Sequence, residues 1–138
     1  MKLLILFTFL SFNVSKNFAQ NIESKQLLQL GLILELDGYN LTHEVEFDYL
    51  SKGKVAEYSL ILYRNMKYVM IATCDIDCGD VDLFLYDLNG NKLAYSDDTS
   101  DKPIILFQPT KTQLYKLTVF MYNCSINPCR YGLAVFGK

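Results

Sequence analysis

From Val45 onward, the chain consists largely of short runs in which apolar and polar residues alternate. In "VEFDYL" at residues 45–50, Val45, Phe47 and Tyr49 alternate with acidic residues. Further runs are rich in β-branched, aromatic or leucine residues and are separated by turn residues: "VAEYSLILY", "KYVMIAT", "DLFLYD", "KLAYS", "IILFQ", "LYKLTVFMY" and "RYGLAVF". Alternation with period two is typical of strands that bury one face. About seven or eight strands at this spacing predict a mainly β chain, folded as an antiparallel β-sandwich or jelly roll.

The segment before these strands has a pattern that fits two kinds of element. In "NIESKQLLQLGLILELDGYNL", every second residue from Leu28 to Leu36 is leucine, which is typical of a strand. Leu, Gln, Glu and Lys are good helix formers, however, and β-branched residues are rare here. Asn21 is a suitable N-cap, and Gly38 is a suitable residue to end a helix. We therefore predict a short helix and a linker at residues 20–43, ahead of a β-sandwich domain at residues 44–138.

The first residues have the layout of a secretory signal peptide. Lys2 precedes an apolar stretch at residues 3–12, and the small residue Ala19 follows at a suitable cleavage point. The apolar stretch is shorter than the roughly 20 residues that a membrane-spanning helix needs. We expect residues 1–19 to be removed, which leaves no membrane span in the mature chain. Because no cysteine precedes Cys74, we expect a secreted or periplasmic protein and not a lipoprotein.

Composition adds little to this picture but excludes one class of partner. Apolar residues make up 51% of the 138-residue chain, which is ample material for a core. The formal net charge is −2, and it becomes more negative once the two lysines of the signal peptide are removed. Such a chain lacks the basic surface that nucleic-acid binding requires, so we expect no nucleic-acid partner.

Four cysteines lie in two short stretches, Cys74 and Cys78 in "CDIDC" and Cys124 and Cys129 in "CSINPC". In an exported protein, four cysteines favour two disulfides over a four-thiolate zinc site. The strand count places both stretches at the same end of the sandwich. Local bridges within each stretch and crossed bridges between the stretches are both compatible with that placement. We favour the local bridges because the Asn-Pro pair in the second stretch helps that loop to turn back on itself.

Aspartates cluster around the first cysteine stretch and again just before "KPIILF". Calcium binds about six to eight oxygen ligands, so an acidic loop end is a candidate calcium site. The helix-loop-helix motif does not fit, since Asp80 stands where its glycine belongs and Tyr86 where its glutamate belongs. Aspartates also cap turns, and we expect Asp82 to accept hydrogen bonds from loop amides at a strand start. The candidate calcium ligands are Asp75, Asp77, Asp80, Asp82, Asp97 and Asp98.

Signals for catalysis are weak. The only histidine is His43 in "NLTHEVEF", and a lone histidine at the start of a strand is usually structural. The sequence contains no nucleophile elbow and no glycine-rich phosphate loop. Ten tyrosines and nine phenylalanines can supply exposed rings for a ligand, although most are expected in the core or in cross-strand pairs. We therefore expect that the chain is not an enzyme.

Three stretches resemble a known family pattern: "GDVDLFLYDLNGNKLAYSDD", "IILFQPTKTQLYKLTVFMY" and "YGLAVFGK". In the first, Asn89-Gly90 is a type I′ hairpin signal between two strands. Together, over roughly residues 55–138, these stretches resemble the bacterial pre-peptidase C-terminal domain family. That resemblance implies a secreted, non-catalytic β-sandwich module, and some related collagen-binding modules bind calcium. The cysteines depart from the family pattern, which favours a stand-alone secreted relative over a protease accessory domain.

The sequence as a whole predicts a secreted, non-catalytic β-sandwich module that binds another protein or a surface polymer. The alternative is a calcium-dependent carbohydrate- or matrix-binding module that uses the acidic loop end. Both hypotheses place the ligand on loops or tyrosine-bearing faces, and neither identifies it.

Overall fold

The computed structural model describes residues 22–138, and within them it confirms a mainly β chain preceded by a short helix. Helix α1 spans Ile22–Leu36. The strands are β1 Asn40–Leu41, β2 Glu46–Leu50, β3 Val55–Leu62, β4 Tyr68–Cys74, β5 Cys78–Tyr86, β6 Lys92–Ser96, β7 Ile104–Phe107, β8 Gln113–Cys124 and β9 Cys129–Gly137. The predicted signal peptide at residues 1–19 and the Asn21 cap lie outside the described residues. Within residues 22–138, no helix is long and apolar enough to cross a membrane.

The strands form two antiparallel sheets, which confirms the predicted β-sandwich. Sheet A has the order β1-β9-β4-β7, with β2 also paired to β9, and sheet B has the order β3-β8-β5-β6. β5 and β6 form a hairpin, as predicted. Its turn is not type I′, because Gly90 has a φ of 81° while Asn89 is not in the positive-φ region. The side chain of Asp87 instead accepts hydrogen bonds from the Asn89 and Asn91 amides, both at 2.9 Å.

The main core lies between the two sheets. Its fully buried side chains include Leu62, Met70, Leu83, Leu117 and Met121. A second, smaller apolar cluster lies on the other face of sheet A, beneath α1. It contains Leu27, Val69, Ile71, Ala134 and Phe136. β4 and β9 are therefore buried on both faces, which explains why their sequences are almost continuously apolar.

The start of α1 is fixed to sheet A by a buried carboxylate. Glu23 is 1% exposed, and its Oε1 lies 3.3 Å from Nε of Arg130 on β9. The Glu23 carbonyl accepts a hydrogen bond from Thr73 Oγ1 on β4 at 2.9 Å. The Arg130 guanidinium also lies over the ring of Phe47, 5.1 Å from its centroid. Charge pairing and packing thus hold the helix on the sheet face that the second apolar cluster covers.

The end of α1 follows the prediction from the sequence. Gly38 has a φ of 86°, and its N–H donates to the Glu35 carbonyl at 3.1 Å. The N–H of Tyr39 donates to the Leu34 carbonyl at 3.0 Å. This pair of hydrogen bonds is the Schellman arrangement, in which a glycine with positive φ ends the helix.

Gly132 on β9 allows the side chains of Leu27 on α1 and Phe47 on β2 to approach the backbone of β9 closely. A Cβ at this position would lie 2.7 Å from Leu27 Cδ1 and 2.8 Å from Phe47 Cε1. We expect Gly132→Ala to lower the free energy of unfolding by about 1–2 kcal/mol, because both side chains must move in a packed layer. Urea denaturation followed by circular dichroism measures this loss.

Gly31→Ala is the matched control at the same interface. Its Cβ would lie 3.3 Å from Phe136 Cζ, which a small ring movement accommodates. The substitution also raises helix propensity by about 1 kcal/mol, so a neutral or stabilising effect is expected. If Gly132→Ala is equally neutral, the close approach of Leu27 and Phe47 does not contribute to stability.

Candidate functional site

The cysteines form two local disulfides at one end of the sandwich. Cys74 ends β4 and bridges to Cys78 at the start of β5, with 5.8 Å between their Cα atoms. Cys124 ends β8 and bridges to Cys129 at the start of β9, with a Cα–Cα distance of 5.9 Å. Cys78 and Cys124 are neighbours in the β5–β8 register, so both bridges share one end of the fold, as predicted. The local pairing is confirmed, and no free thiol remains in the described chain for a zinc site.

Asp75 and Asp77 stabilise the turn between the two cysteines of the first bridge. Asp75 Oδ1 accepts a hydrogen bond from the Asp77 amide at 3.1 Å, and its Oδ2 accepts one from the Arg130 amide at 2.8 Å. The Asp77 carbonyl accepts hydrogen bonds from the amide and the hydroxyl of Ser125, at 2.8 and 3.0 Å. The Asp75 carboxylate thus ties the β4–β5 turn to β9, and the Asp77 carbonyl ties it to the β8–β9 loop.

The other four candidate aspartates meet in one place. Asp80 and Asp82 lie on β5, and Asp97 and Asp98 lie in the loop after β6. Together with Phe84, Thr99, Phe120 and Tyr122, they line a pocket of about 500 Å³, which we call the acidic pocket. β5 begins at Cys78, before the run "DLFLYD" that predicted it, so Asp80 as well as Asp82 is a strand residue.

Two features of the backbone build the acidic pocket. Val81 and Leu83 point into the core, so the side chain of Asp82 points to the outer face of sheet B. The β5–β8 pairing shifts register on both sides of Asp80, a bulge that redirects side chains at a strand end. The loop after β6 then folds against β5, where the Val81 amide donates to the Ser100 carbonyl at 3.1 Å. The outer face of the sheet thus becomes the floor of the pocket, and the loop becomes one wall.

Asp80 and Asp82 are buried without full hydrogen bonding. They are 6% and 5% exposed, and Oδ1 of each has no hydrogen-bond partner. The expectation that Asp82 caps loop amides is therefore wrong for this oxygen. Burial, together with the neighbouring carboxyls of Asp80, Asp97 and Asp98, raises the pKa of Asp82 to about 6. A carboxylate in this environment costs the fold stability unless a cation or a proton neutralises it.

Aromatic side chains from two strands form the rest of the pocket. Phe84 lies on β5, while Phe120 and Tyr122 lie on β8, with their rings edge to face and 6.0 Å between centroids. Tyr122 is 58% exposed. The register pairs Asp82 with Phe120, which sets carboxylate and aromatic groups side by side. Sequence reasoning missed both phenylalanines, since only strand pairing brings them to the aspartates.

The acidic pocket is not arranged as a metal site. Within residues 22–138, no three His, Cys, Asp or Glu side chains lie together in a metal-binding arrangement. The carboxylate oxygens have the chemistry that calcium prefers, but Asp97 and Asp98 are exposed and would have to close on Asp80 and Asp82. Calcium binding by these residues stays a prediction.

His43 lies elsewhere and both of its ring nitrogens have contacts. Nδ1 is 2.8 Å from Thr42 Oγ1, and Nε2 is 3.2 Å from the Ile61 carbonyl. The imidazole thus links the segment before β2 to β3 of the other sheet. These contacts support the interpretation that His43 is structural.

Comparison with known proteins assigns no function to these residues. No family model matches the chain, and no curated protein matches it. The resemblance to pre-peptidase C-terminal domains therefore stays a prediction from three sequence stretches. The acidic pocket is therefore the structural feature that points to a function.

Proposed function

We propose that this protein is a secreted, non-catalytic binding module whose ligand site is the acidic pocket on sheet B. One observation carries the proposal: two buried carboxylates with unpaired oxygens lie beside an exposed tyrosine ring and two half-buried phenylalanine rings in one open pocket. Polar groups that converge beside aromatic side chains in one depression are typical of ligand sites. The ligand is another protein or a surface polymer that presents a complementary group to this pocket.

The openness of the pocket supports binding over catalysis. Asp97, Asp98, Thr99 and Tyr122 on its rim are exposed to solvent. Acid–base chemistry on a carboxyl pair generally benefits from a site that excludes water. His43, the one histidine of the sequence, is not among the residues that line the pocket, so the pocket has no histidine as proton carrier. Two disulfides fit a protein that acts in an oxidising compartment, which agrees with the predicted export.

A second candidate function is calcium-dependent binding of a carbohydrate or matrix polymer. The unpaired Oδ1 atoms of Asp80 and Asp82 favour it, because a divalent cation would neutralise both. Asp97 and Asp98 would supply the remaining carboxylates after a movement of the loop. Tyr122 would then offer an exposed ring for stacking on a sugar.

The proposal is tested by capture and array experiments with matched variants. The oxidised protein, the Asp80→Asn/Asp82→Asn double variant and an Asp87→Asn control are presented to a glycan array and to cell-surface proteins of the producing organism. Asp87 lies in the hairpin turn at the opposite end of β5, outside the pocket. We expect wild type and the control to retain the same ligand and the double variant to lose it.

Calcium and chelator arms separate the two candidate functions. If the wild-type protein retains the same amount of ligand with millimolar calcium and with chelator, the first candidate, a binding module that needs no metal, is supported. Retention that needs calcium supports the second candidate. If the double variant retains ligands as well as wild type in both arms, the acidic pocket is not the binding site.

A further inference from the structure

The acidic pocket has a charge that the described protein does not balance. The ion pairs within residues 22–138 join Lys116 to Glu57, Arg130 to Glu23 and Lys138 to Asp37, and none involves a pocket carboxylate. Lys and Arg are absent from the pocket lining, which consists of described residues throughout. Four carboxylates at one site, two of them nine-tenths buried, therefore select a cationic ligand.

The aromatic side chains of the pocket, Phe84, Phe120 and Tyr122, indicate which type of cation it binds. A hydrated metal ion gains little from phenylalanine and tyrosine, whereas an organic cation is attracted to their faces. The same sheet face already shows this chemistry within the chain. The ammonium of Lys92 lies 5.5 Å from the ring centroid of Phe84 and 4.6 Å from that of Tyr95. Phe84 also lines the pocket, so a cationic group of a ligand would contact an aromatic surface on which the Lys92 ammonium already lies.

The carboxyl pair on the pocket floor matches a planar, forked donor. Asp80 and Asp82 both line the pocket, and each keeps an Oδ1 without a hydrogen-bond partner. A guanidinium group presents parallel N–H donors to carboxylate oxygens and stacks on aromatic rings. An ammonium is a compact, strongly hydrated point charge and matches this arrangement less well.

We propose that the acidic pocket binds an arginine side chain of a protein partner, with the guanidinium between the Asp80–Asp82 pair and the aromatic wall of Phe120 and Tyr122. This inference rests on the proposed function and specifies its ligand. The pocket volume of about 500 Å³ accommodates one such side chain with the adjoining peptide backbone. Asp97 and Asp98 on the exposed rim add charge that attracts a basic segment of the partner.

The affinity of the acidic pocket for an arginine side chain should depend on pH. The carboxyls that face Asp82 are Asp80 on the same strand and Asp97 and Asp98 on the loop, and all raise its pKa. A bound guanidinium favours the ionised form, so binding lowers that pKa and releases a proton. Affinity should accordingly fall about tenfold between pH 7 and pH 5, as the free pocket takes up the proton.

The test uses a hexa-arginine peptide as probe, with hexa-citrulline and hexa-lysine peptides of the same length as comparisons. Citrulline keeps the shape of arginine but lacks its charge. Binding to the oxidised full chain is followed by calorimetry at low salt and by amide chemical shifts. We expect hexa-arginine to bind best and to shift residues 80–84, 97–99 and 120–122. Asp82→Asn should weaken this binding at least about tenfold, since it removes one acceptor of a charged hydrogen bond.

The Asp87→Asn control removes the same formal charge outside the pocket and should change the affinity less than about twofold. Equal binding of hexa-citrulline, equal loss in both variants, or no binding of hexa-arginine would each overturn the inference. If hexa-arginine fails while pocket variants still abolish capture of the natural ligand, the pocket is the site but arginine is not its ligand. If capture is also insensitive to the pocket variants, the proposed function fails with it.

Discussion

Replacing both disulfides with alanine pairs is expected to lower the free energy of unfolding by about 4 kcal/mol, or about 2 kcal/mol for each bridge. Each bridge closes a short loop, with sequence separations of 4 and 5 residues, so each contributes at the low end of the usual range. The combined loss is a large fraction of the stability of a small domain, roughly 5–15 kcal/mol. Urea denaturation of the oxidised wild type and the variant measures it.

Single-bridge variants and peptide mapping complete this test. Cys78 and Cys124 are register neighbours, so the two bridges are close enough for their effects to deviate from additivity. Protease digestion without reduction should yield peptides linked through Cys74–Cys78 and Cys124–Cys129. Linked peptides that join the two loops would contradict the local pairing. An unchanged urea midpoint in the variant without disulfides would show that strand pairing alone holds this end of the sandwich.

The strands could be predicted from the sequence because most of them bury only one face. Period-two alternation marks β3 and β8, and apolar runs with turn residues between them mark β4 and β9. β1 could not be predicted. It consists of Asn40 and Leu41, and it is a strand only because it pairs with Phe136 and Gly137 at the far end of the chain.

In the β5–β6 hairpin, the side chain of Asp87 favours a different turn from the one that the Asn89-Gly90 pair predicts. Asn89-Gly90 is the sequence pattern of a type I′ turn. Asp87 accepts two amide hydrogen bonds at this point and a third from the Asn91 side chain, at 2.9 Å. Those hydrogen bonds favour a turn in which only Gly90 takes positive φ, and the β5–β6 register shifts next to it.

Leucines on the solvent-exposed side of α1 explain why its sequence also fits the pattern of a strand. Leu27 faces sheet A with helical spacing to Leu30 and Leu34, which are partly buried. Leu28 and Leu32 lie on the exposed side, 61% and 55% exposed. The superposition of an inner and an outer row of leucines produces the alternation that resembles a strand. Helix propensity, and not hydrophobic periodicity, gave the right answer.

The candidate site was predicted in part. Asp80, Asp82, Asp97 and Asp98 line one pocket, whereas sequence proximity grouped Asp80 and Asp82 with Asp75 and Asp77. The structure separates them, because β5 begins between them and turns the later pair toward the outer face. The aromatic wall could not be predicted, since it depends on which residue of β8 lies opposite Asp82. Strand pairing is a tertiary property that alternation alone does not specify.

Asp82→Asn is expected to stabilise the free protein by up to about 3 kcal/mol at pH 7, the free-energy equivalent of a shift of about two pKa units. The pKa of Asp82 is raised from 3.8 to about 6 in the folded protein, so folding favours the protonated carboxyl. The stability that this group contributes is fully present below pH 3.8 and is lost as the pH rises through about 6. The benefit of the substitution should therefore be absent well below pH 3.8, grow as the pH rises and be complete above pH 7. Urea denaturation across this pH range measures it.

Asp87→Asn should show the opposite sign and is the control for this measurement. Hydrogen bonds from Asn91 and Asn89 lower the pKa of Asp87, so its ionised form stabilises the turn above the ordinary pKa of an aspartate. Its replacement should destabilise the protein at pH 7 and have no effect at low pH. If Asp82→Asn is also destabilising at pH 7, Asp82 accepts hydrogen bonds that support the fold. If it is stabilising, the wild-type protein keeps a buried carboxylate that costs it stability, which is expected of a group used to bind a cation.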